Sequence, residues 1–237
     1  MKIGLFDSGI GGLNVLKEFI LKYPNNEYLY YGDTLNVPYG DKDKDTLLKL
    51  TSKIIDFFVS KEVDLIIVAC GTVSSTCLTE LRRKTSIPIF DIISPTIKYL
   101  KELKLNKICV FGTKRTIDSH IFKNNVNNIV EIATPEFVLM LENNNIDLDI
   151  TKNYIDKIKD YDALVLGYTH YPLLSLEFKK YLNKNCMLIN MGKILVNTLD
   201  IKNNSKLKID LYFTKIDDNL KINIDKIIKK AYAIYKI

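Results

Sequence analysis

Three loops in this chain carry side chains suited to proton transfer, and each loop follows a short apolar run. The first loop, residues 7–12, reads Asp-Ser-Gly-Ile-Gly-Gly. The second begins at Cys70, and the third, residues 167–170, reads Gly-Tyr-Thr-His. Carboxylates, thiols and imidazoles are common general acids and bases in proteins. The three loops therefore predict a centre for acid–base chemistry.

Cys70 lies between a predicted strand and a predicted helix. A helix N-terminus lowers the pKa of a thiol, so this position favours the reactive thiolate. Alternatively, Cys70 is a buried structural residue that packs like a small hydrophobic side chain, and this is our interpretation of Cys77, Cys109 and Cys186. Because the four cysteines lack metal-ligand spacing, we expect free thiols and no metal site.

The glycine-rich loop 7–12 and His170 each allow two interpretations. A strand, a glycine turn and a helix start can bind an anion through free N–H groups. Alternatively, Asp7 or Ser8 only caps the helix. His170 could act as an acid or base in its polar loop, or it could cap a helix or pack against neighbouring side chains. The other histidine, His120, is expected at the surface within a helical segment.

The elements that position these loops alternate between strand-length apolar runs and amphipathic segments. Nine runs predict strands: Ile3–Phe6, Tyr28–Tyr31, Leu65–Cys70, Ile87–Ile92, Ile108–Phe111, Ile129–Ala133, Ala163–Leu166, Met187–Ile189 and Leu211–Phe213. A 3.6-residue period predicts helices around Leu13–Leu21, Leu47–Phe58, Cys77–Leu81, Ile97–Leu103 and Ile155–Ile158. This alternation predicts an α/β fold with largely parallel sheets. Ligands bind such sheets beyond the carboxyl ends of the strands, where the three loops lie.

Composition excludes several classes of protein. The chain has 237 residues, of which 47% are hydrophobic and 26% charged, so a disordered chain is excluded. No apolar run approaches the roughly 18 residues of a membrane span, and the chain starts on a predicted strand rather than a signal peptide. We therefore expect a cytoplasmic protein with no membrane partner. The net charge is +6, but only three residues are arginine and the lysines are interleaved with acidic residues; no nucleic-acid partner is expected.

The ordered motifs together resemble the glutamate racemase family over nearly the whole chain. They are Asp7-Ser8-Gly9-x-Gly11-Gly12, Tyr31-Gly32-Asp33-Thr34 with Val37-Pro38-Tyr39-Gly40, Ala69-Cys70-x-Thr72, Gly112-Thr113 with Thr116 and Ser119, and Thr169-His170-Tyr171-Pro172-Leu173-Leu174. The resemblance implies two pseudo-symmetric α/β domains with an active-site cleft between them. From the placement of the motifs we expect one domain over 1–92 plus 205–237 and the second over 93–204.

The resemblance also implies an activity and its residues. The family interconverts L- and D-glutamate at the α-carbon without pyridoxal phosphate, another cofactor or a metal, and supplies D-glutamate for peptidoglycan, the cell wall and cell shape. By this match Cys70 faces the α-proton of D-glutamate, Asp7 and His170 assist the acid–base groups, and Asp33 and Glu142 are lesser candidates. The implied substrate-binding residues are Ser8, Tyr39, Gly40, Gly71, Thr72 and Thr169. A homodimer is one option for the assembly.

Two residues depart from the family pattern. Gly71 stands where the family usually has Asn, so a side-chain amide is lost. Tyr168 stands where the family has its second catalytic cysteine. A phenol has a reference pKa of about 10 against about 8.5 for a thiol, so it is a poorer base at neutral pH.

Three interpretations of Tyr168 are open at this point. Tyr168 could itself be the acid or base on one face of the substrate. The chain could be a catalytically impaired member that binds a ligand or partner, or that exchanges protons only through Cys70. It could also be a single-thiol enzyme acting on another small dicarboxylate. Since one nucleotide change converts a Cys codon to Tyr, a recent or engineered inactivation would fit the second interpretation.

Overall fold

The computed structural model describes residues 1–142, 145–203 and 205–237, without the side chain of Glu142. Its described strands form a six-stranded and a four-stranded sheet, and their pairings are parallel. The strands are β1 (Lys2–Asp7), β2 (Glu27–Gly32), β3 (Leu65–Val68), β4 (Ile89–Asp91), β5 (Ile108–Gly112), β6 (Ile129–Ala133), β7 (Ala163–Gly167), β8 (Met187–Asn190), β9 (Lys208–Phe213) and β10 (Ala233–Lys236). The strand orders are β10-β9-β2-β1-β3-β4 and β6-β5-β7-β8. The predicted α/β class with parallel sheets is confirmed.

Helices connect most of the consecutive strands. They are α1 (Gly12–Lys22), α2 (Lys44–Ser60), α3 (Gly71–Thr76), α4 (Leu78–Lys84), α5 (Ile93–Leu103), α6 (Lys114–Asp118), α7 (Pro135–Glu142), α8 (Leu148–Asp156), α9 (Ser175–Tyr181), α10 (Met191–Thr198) and α11 (Asp218–Ile227). Short 3₁₀ turns cover Tyr39–Asp41 and Tyr171–Leu174. Within these described ranges, no helix combines the length and apolar character needed to cross a membrane.

The central strands explain where the three loops meet. In the larger sheet β1 lies between β2 and β3, and in the smaller sheet β7 lies between β5 and β8. Residues of β3 and β7 are buried along their whole lengths because helices cover both faces of each sheet. Parallel pairing brings carboxyl ends to one edge, so loop 7–12 and Cys70 leave the larger sheet together. Residues 168–170 leave the smaller sheet in the same way.

One hydrophobic core runs from the larger sheet to the smaller one. Buried residues of β1, β2 and β3 join those of β5 and β7 in a single cluster, through side chains of α1, α5 and α10. Phe19, Leu100 and Leu195 represent the three helices in this cluster. The larger sheet takes its strands from 2–91 and 208–236, and the smaller one from 108–190. The domain boundaries proposed from the sequence stay a prediction.

The structure corrects three details of the predicted elements. β10 was not predicted, because this short edge strand is mostly exposed or half-buried and lacks a strong apolar run. β3 ends at Val68 and β4 begins at Ile89, so both strands are shorter than their apolar runs. His120 is not helical: α6 ends at Asp118, and His120 has a left-handed φ of 52° and an exposed side chain.

Candidate active site

The two sheets touch where the three loops meet. A Cβ at Gly71 would lie 3.1 Å from the carbonyl oxygen of Gly167, so the two backbones are nearly in contact there. Across the same junction the Thr169 hydroxyl donates to Oδ2 of Asp7 over 3.2 Å. The side-chain amide of Asn14 donates to the Thr169 carbonyl oxygen over 3.1 Å. The structure thus brings together the loops that the sequence indicated.

Asp7 ends β1 and is buried between the sheets. Its Oδ2 also accepts the backbone N–H of Gly12 at the start of α1, over 2.8 Å. The N-cap position of this helix is Gly11, which makes no side-chain capping bond, so Asp7 satisfies a free N–H of the helix without standing at the N-cap position itself. Because the Asp7 carboxylate already occupies one free N–H group, it takes the place that an external anion would fill.

Cys70 is buried as well, with 4% of its surface exposed. Burial, and next the negative charge of Asp7, raise the pKa of the Cys70 thiol to about 12. Hydrogen bonds from the Val73 N–H and from the N–H and hydroxyl of Ser8 oppose this rise. Our expectation of a lowered thiol pKa is therefore wrong: α3 is a six-residue helix, and desolvation outweighs its N-terminal effect.

Tyr168 and His170 form a stacked pair in the third loop. Their ring centroids are 4.8 Å apart and their planes meet at 30°. Burial lowers the pKa of His170 below its usual value, and the nearby Asp7 charge only partly opposes this, so the imidazole is neutral at pH 7. His170 Nδ1 has no hydrogen-bond partner among the described residues. It packs against Gly11, where a Cβ would lie 2.3 Å away.

Two cavities adjoin the loops, and Tyr168 lines both of them. The first, of about 160 Å³, is also lined by Ser8, Tyr39, Gly40 and Thr72. The second, of about 270 Å³, is lined by Ser8, Tyr168 and His170 on one side, and by Lys215 and residues of α11 on the other. Cys70 lines neither cavity. Five candidate residues therefore line the first cavity, while the Cys70 thiol is hydrogen-bonded to one of them, Ser8.

Asp33 positions Tyr39 from behind the first cavity. The Asp33 carboxylate accepts the Tyr39 hydroxyl over 2.6 Å, the Thr214 hydroxyl over 2.9 Å, and the Asn36 side-chain amide over 2.9 and 3.1 Å. Burial, followed by the Asp33 charge, raises the pKa of Tyr39 far above its usual range. Asp33 lines neither cavity, and the side chain of Glu142 lies outside the described part of the structure.

Three threonine hydroxyls connect the sheets beside the first cavity. Thr72 Oγ1 lies 3.1 Å from Thr113 Oγ1, which lies 3.0 Å from Thr116 Oγ1. Thr72 belongs to α3 after the larger sheet, and Thr113 caps α6 after the smaller sheet. Thr72 and Thr113 line the first cavity, and since each hydroxyl can donate or accept, these two can bind a carboxylate group of a ligand there.

Sequence reasoning missed four residues at this centre. Tyr30 lies on β2, where only its apolar neighbours gave a signal, and its buried hydroxyl donates to the Gly9 carbonyl oxygen over 2.6 Å. Asn14 lies on the polar face of α1, opposite its buried residues, where a polar side chain gives no signal in the sequence. Lys114 lines the first cavity and Lys215 the second; among so many lysines, neither stood out in the sequence.

The arrangement suits proton transfer. It provides a thiol beside a carboxylate from the larger sheet, and a phenol stacked on a neutral imidazole from the smaller one. Within the described residues, no group of three or more His, Cys, Asp or Glu side chains is placed to hold a metal ion.

Comparison with known proteins identifies the family to which this chain is similar. Residues 37–199 match the Asp/Glu/Hydantoin racemase family. The chain is 38% identical to the glutamate racemase of Fusobacterium nucleatum, covering 100% of this chain and 97% of that one. It is 35% identical to the glutamate racemase of Aquifex pyrophilus, covering 99% and 96%.

Solved structures agree with these relatives. Glutamate racemase from Campylobacter jejuni superposes with a TM-score of 0.86 at 35% identity, over 95% of this chain and 97% of that one. The enzyme from Francisella tularensis, solved in complex with D-glutamate, superposes with a TM-score of 0.87 at 25% identity, over 100% and 97%.

Proposed function

The chain belongs to the Asp/Glu/Hydantoin racemase family, and from this premise we propose that it interconverts L- and D-glutamate at the α-carbon, with D-glutamate serving peptidoglycan synthesis. The observation that carries the proposal is the meeting of Cys70 from the larger sheet and Tyr168 from the smaller sheet. A Cβ at Gly71, which follows Cys70, would lie 3.1 Å from the carbonyl oxygen of Gly167, which precedes Tyr168, so the backbones that carry the two residues are nearly in contact.

Inversion needs a base on one face of the α-carbon and an acid on the other. With D-glutamate, the Cys70 thiolate takes the α-proton, and the electron pair of the broken C–H bond moves into the α-carboxylate. The Tyr168 hydroxyl then returns a proton to the opposite face, giving L-glutamate and a phenolate. In the reverse direction the phenolate is the base and the thiol is the acid, so protons balance over a cycle.

The raised pKa of Cys70 sets a condition on this mechanism. At neutral pH the thiol keeps its proton, so it is ready as the acid and must be deprotonated to act as the base. The ammonium group of a bound amino acid lowers the pKa of a nearby thiol. Asp7, whose charge acts directly on the thiol, is placed to accept that proton. His170 would support Tyr168 by holding the phenol ring in place through the stacking contact.

The first cavity is the proposed substrate site. Since Cys70 does not line it and is hydrogen-bonded to Ser8, which does, the Ser8 loop has to shift on substrate binding for the thiol to contact the α-proton. The hydroxyls of Ser8, Thr72 and Thr113 would bind one carboxylate. The backbone at Tyr39 and Gly40 would bind the other, with Lys114 supplying positive charge. Thr169 and Gly71 lie at the sheet junction and would shape the site from behind. No cofactor or metal takes part in this scheme.

A second candidate function follows from Tyr168, which stands where the family has its second catalytic cysteine. None of the other cysteines lines either cavity among the described residues, and Tyr168 lines both. A protein with one working group would exchange the α-proton of D-glutamate alone, bind a ligand without turnover, or act on another small dicarboxylate at a single face.

Proton NMR in deuterated water separates the two candidates. The native protein is incubated with D-glutamate or L-glutamate beside Cys70→Ser and Tyr168→Phe, with Cys186→Ser as a control. Racemisation predicts loss of the α-proton signal from both enantiomers, and a fall of about 10²- to 10⁴-fold in each catalytic variant. Exchange of the α-proton from D-glutamate alone would support the second candidate function. No exchange from either enantiomer would reject glutamate as a substrate.

Three further points belong to this proposal. We propose that the protein works in the cytoplasm, that it forms a homodimer, and that residues 1–92 with 205–237 and residues 93–204 are its two domains. Light scattering coupled to size exclusion gives the mass in solution, to be compared with 27.3 kDa for one chain. Limited proteolysis would test the domain boundaries.

A further inference from the structure

Tyr30 lies beneath the glycine-rich loop at the centre of the acid–base groups. Its side chain is fully buried, and its hydroxyl donates to the Gly9 carbonyl oxygen over 2.6 Å. A Cβ at Gly12 would lie 2.6 Å from the Asp7 Cβ and 2.9 Å from the Tyr30 hydroxyl oxygen. The phenol, the carboxylate and the start of α1 are therefore packed against one another.

The surroundings of Tyr30 keep its phenol protonated. Burial raises the pKa of Tyr30 well above its usual value, and the charge of the Asp7 carboxylate adds to this. The phenol stays protonated and its proton is held by Gly9. It is therefore a fixed donor rather than an acid or base of the reaction.

We propose that Tyr30 is a positioning residue: its hydroxyl holds loop 7–12 in place, and through the loop it keeps Asp7 and Ser8 against the Cys70 thiol. The catalytic consequence rests on the function proposed above, but the effect on the thiol does not. Without the hydroxyl, the buried Gly9 carbonyl loses its donor, which is costly for a buried group. The loop then relaxes and water reaches Cys70.

The same strand offers a matched control. Tyr28 lies two residues before Tyr30 on β2, is also fully buried, and its hydroxyl donates to the carbonyl oxygens of Tyr23 over 2.7 Å and Phe19 over 3.1 Å. Tyr28→Phe therefore removes a buried phenol hydroxyl bound to backbone, as Tyr30→Phe does, but at the opposite end of α1 from the active site.

The test is the alkylation rate of Cys70 by iodoacetamide across pH, followed by mass spectrometry of the Cys70 peptide. Circular dichroism first shows that both variants are folded. Because burial is the main cause of the raised thiol pKa, Tyr30→Phe should lower that pKa. A fall of one unit in the pKa raises the thiolate fraction at pH 8 about tenfold, so we expect alkylation to be at least about tenfold faster. Tyr28→Phe should stay within about twofold of the native rate.

Equal rates in the native protein and Tyr30→Phe would overturn the proposal, and so would equal acceleration in Tyr28→Phe. In the exchange assay with glutamate, Tyr30→Phe should lower kcat at least about tenfold, as expected when an interaction that acts on the chemical step is lost, and should raise KM as well, because loop 7–12 carries the substrate-binding residue Ser8. Faster alkylation without glutamate exchange in any protein would reject the proposed function and keep the role of Tyr30.

Discussion

The Tyr168 ring stacks on the His170 imidazole, with centroids 4.8 Å apart and planes at 30°. This contact holds the phenol where the two cavities adjoin, since Tyr168 lines both. A thiol at the same position would be smaller and would have a lower reference pKa. The stacked pair is therefore the feature that most directly separates this active site from a site with two cysteines.

Replacing Tyr168 tests that difference. In Tyr168→Cys the two cavities should join and a second thiol should face the substrate, so we expect α-proton exchange from both enantiomers of glutamate to rise about 10²-fold or more, the size of an acid–base contribution. Tyr168→Ser is the matched control, because it opens the same space without a thiol. NMR in deuterated water measures both variants. A rise in Tyr168→Ser as large as that in Tyr168→Cys would show that space, and not the thiol, limits the native protein.

Two glycines in loop 7–12 should respond differently to alanine. A Cβ at Gly11 would lie 2.3 Å from both His170 Nδ1 and Thr169 Oγ1, whereas a Cβ at Gly9 meets only Val37 at 3.4 Å. Overpacking costs about 1–3 kcal/mol, so Gly11→Ala should lower the free energy of unfolding by about that amount, and Gly9→Ala by much less. Urea unfolding measures both. Similar losses in the two variants would contradict the close contact of Gly11 with His170.

Stability should depend on pH through His170. Its pKa is lowered in the folded protein, whereas an unfolded imidazole titrates at about 6.5. Below about pH 6.5 the unfolded chain binds more protons, so the free energy of unfolding falls as pH falls, by up to about 1.4 kcal/mol per pH unit until the folded pKa is reached. Urea unfolding between pH 5 and 8 measures this slope. His170→Gln should flatten it and the exposed His120→Gln should retain it; an unchanged slope in His170→Gln would assign the dependence to other groups.

The Thr169–Asp7 hydrogen bond should stabilise the junction of the two sheets. Thr169→Val keeps the shape and removes the donor to the buried carboxylate, so we expect a loss of about 1–3 kcal/mol in the free energy of unfolding. Thr96→Val is the control, because that hydroxyl is buried but donates to the carbonyl oxygen of Ile92, the N-cap of its own helix α5, and not across the sheet junction. Chemical denaturation of both variants gives the comparison. A smaller loss for Thr169→Val than for Thr96→Val would contradict the role of this bond.

Much of the fold could be predicted from the sequence because hydrophobic periodicity is a local property. The runs around β1, β3, β5 and β7 identified the central strands, and parallel sheets place their following loops at one edge. β10 escaped prediction because an exposed edge strand carries little periodic signal. Tyr30 escaped because a phenol within an apolar run gives no sign of where its hydroxyl points.

Local patterns along the chain were enough to predict the element types, the three loops and the family that their motifs resemble. The chemical state of the groups in those loops depends on how the loops pack together. Cys70 follows a strand and precedes a helix, which predicts a lowered thiol pKa, yet its pKa is raised to about 12. That reversal comes from burial and from Asp7, 63 positions earlier in the chain. Desolvation and charge act through space, so only the packing of the loops around Cys70 could set its pKa.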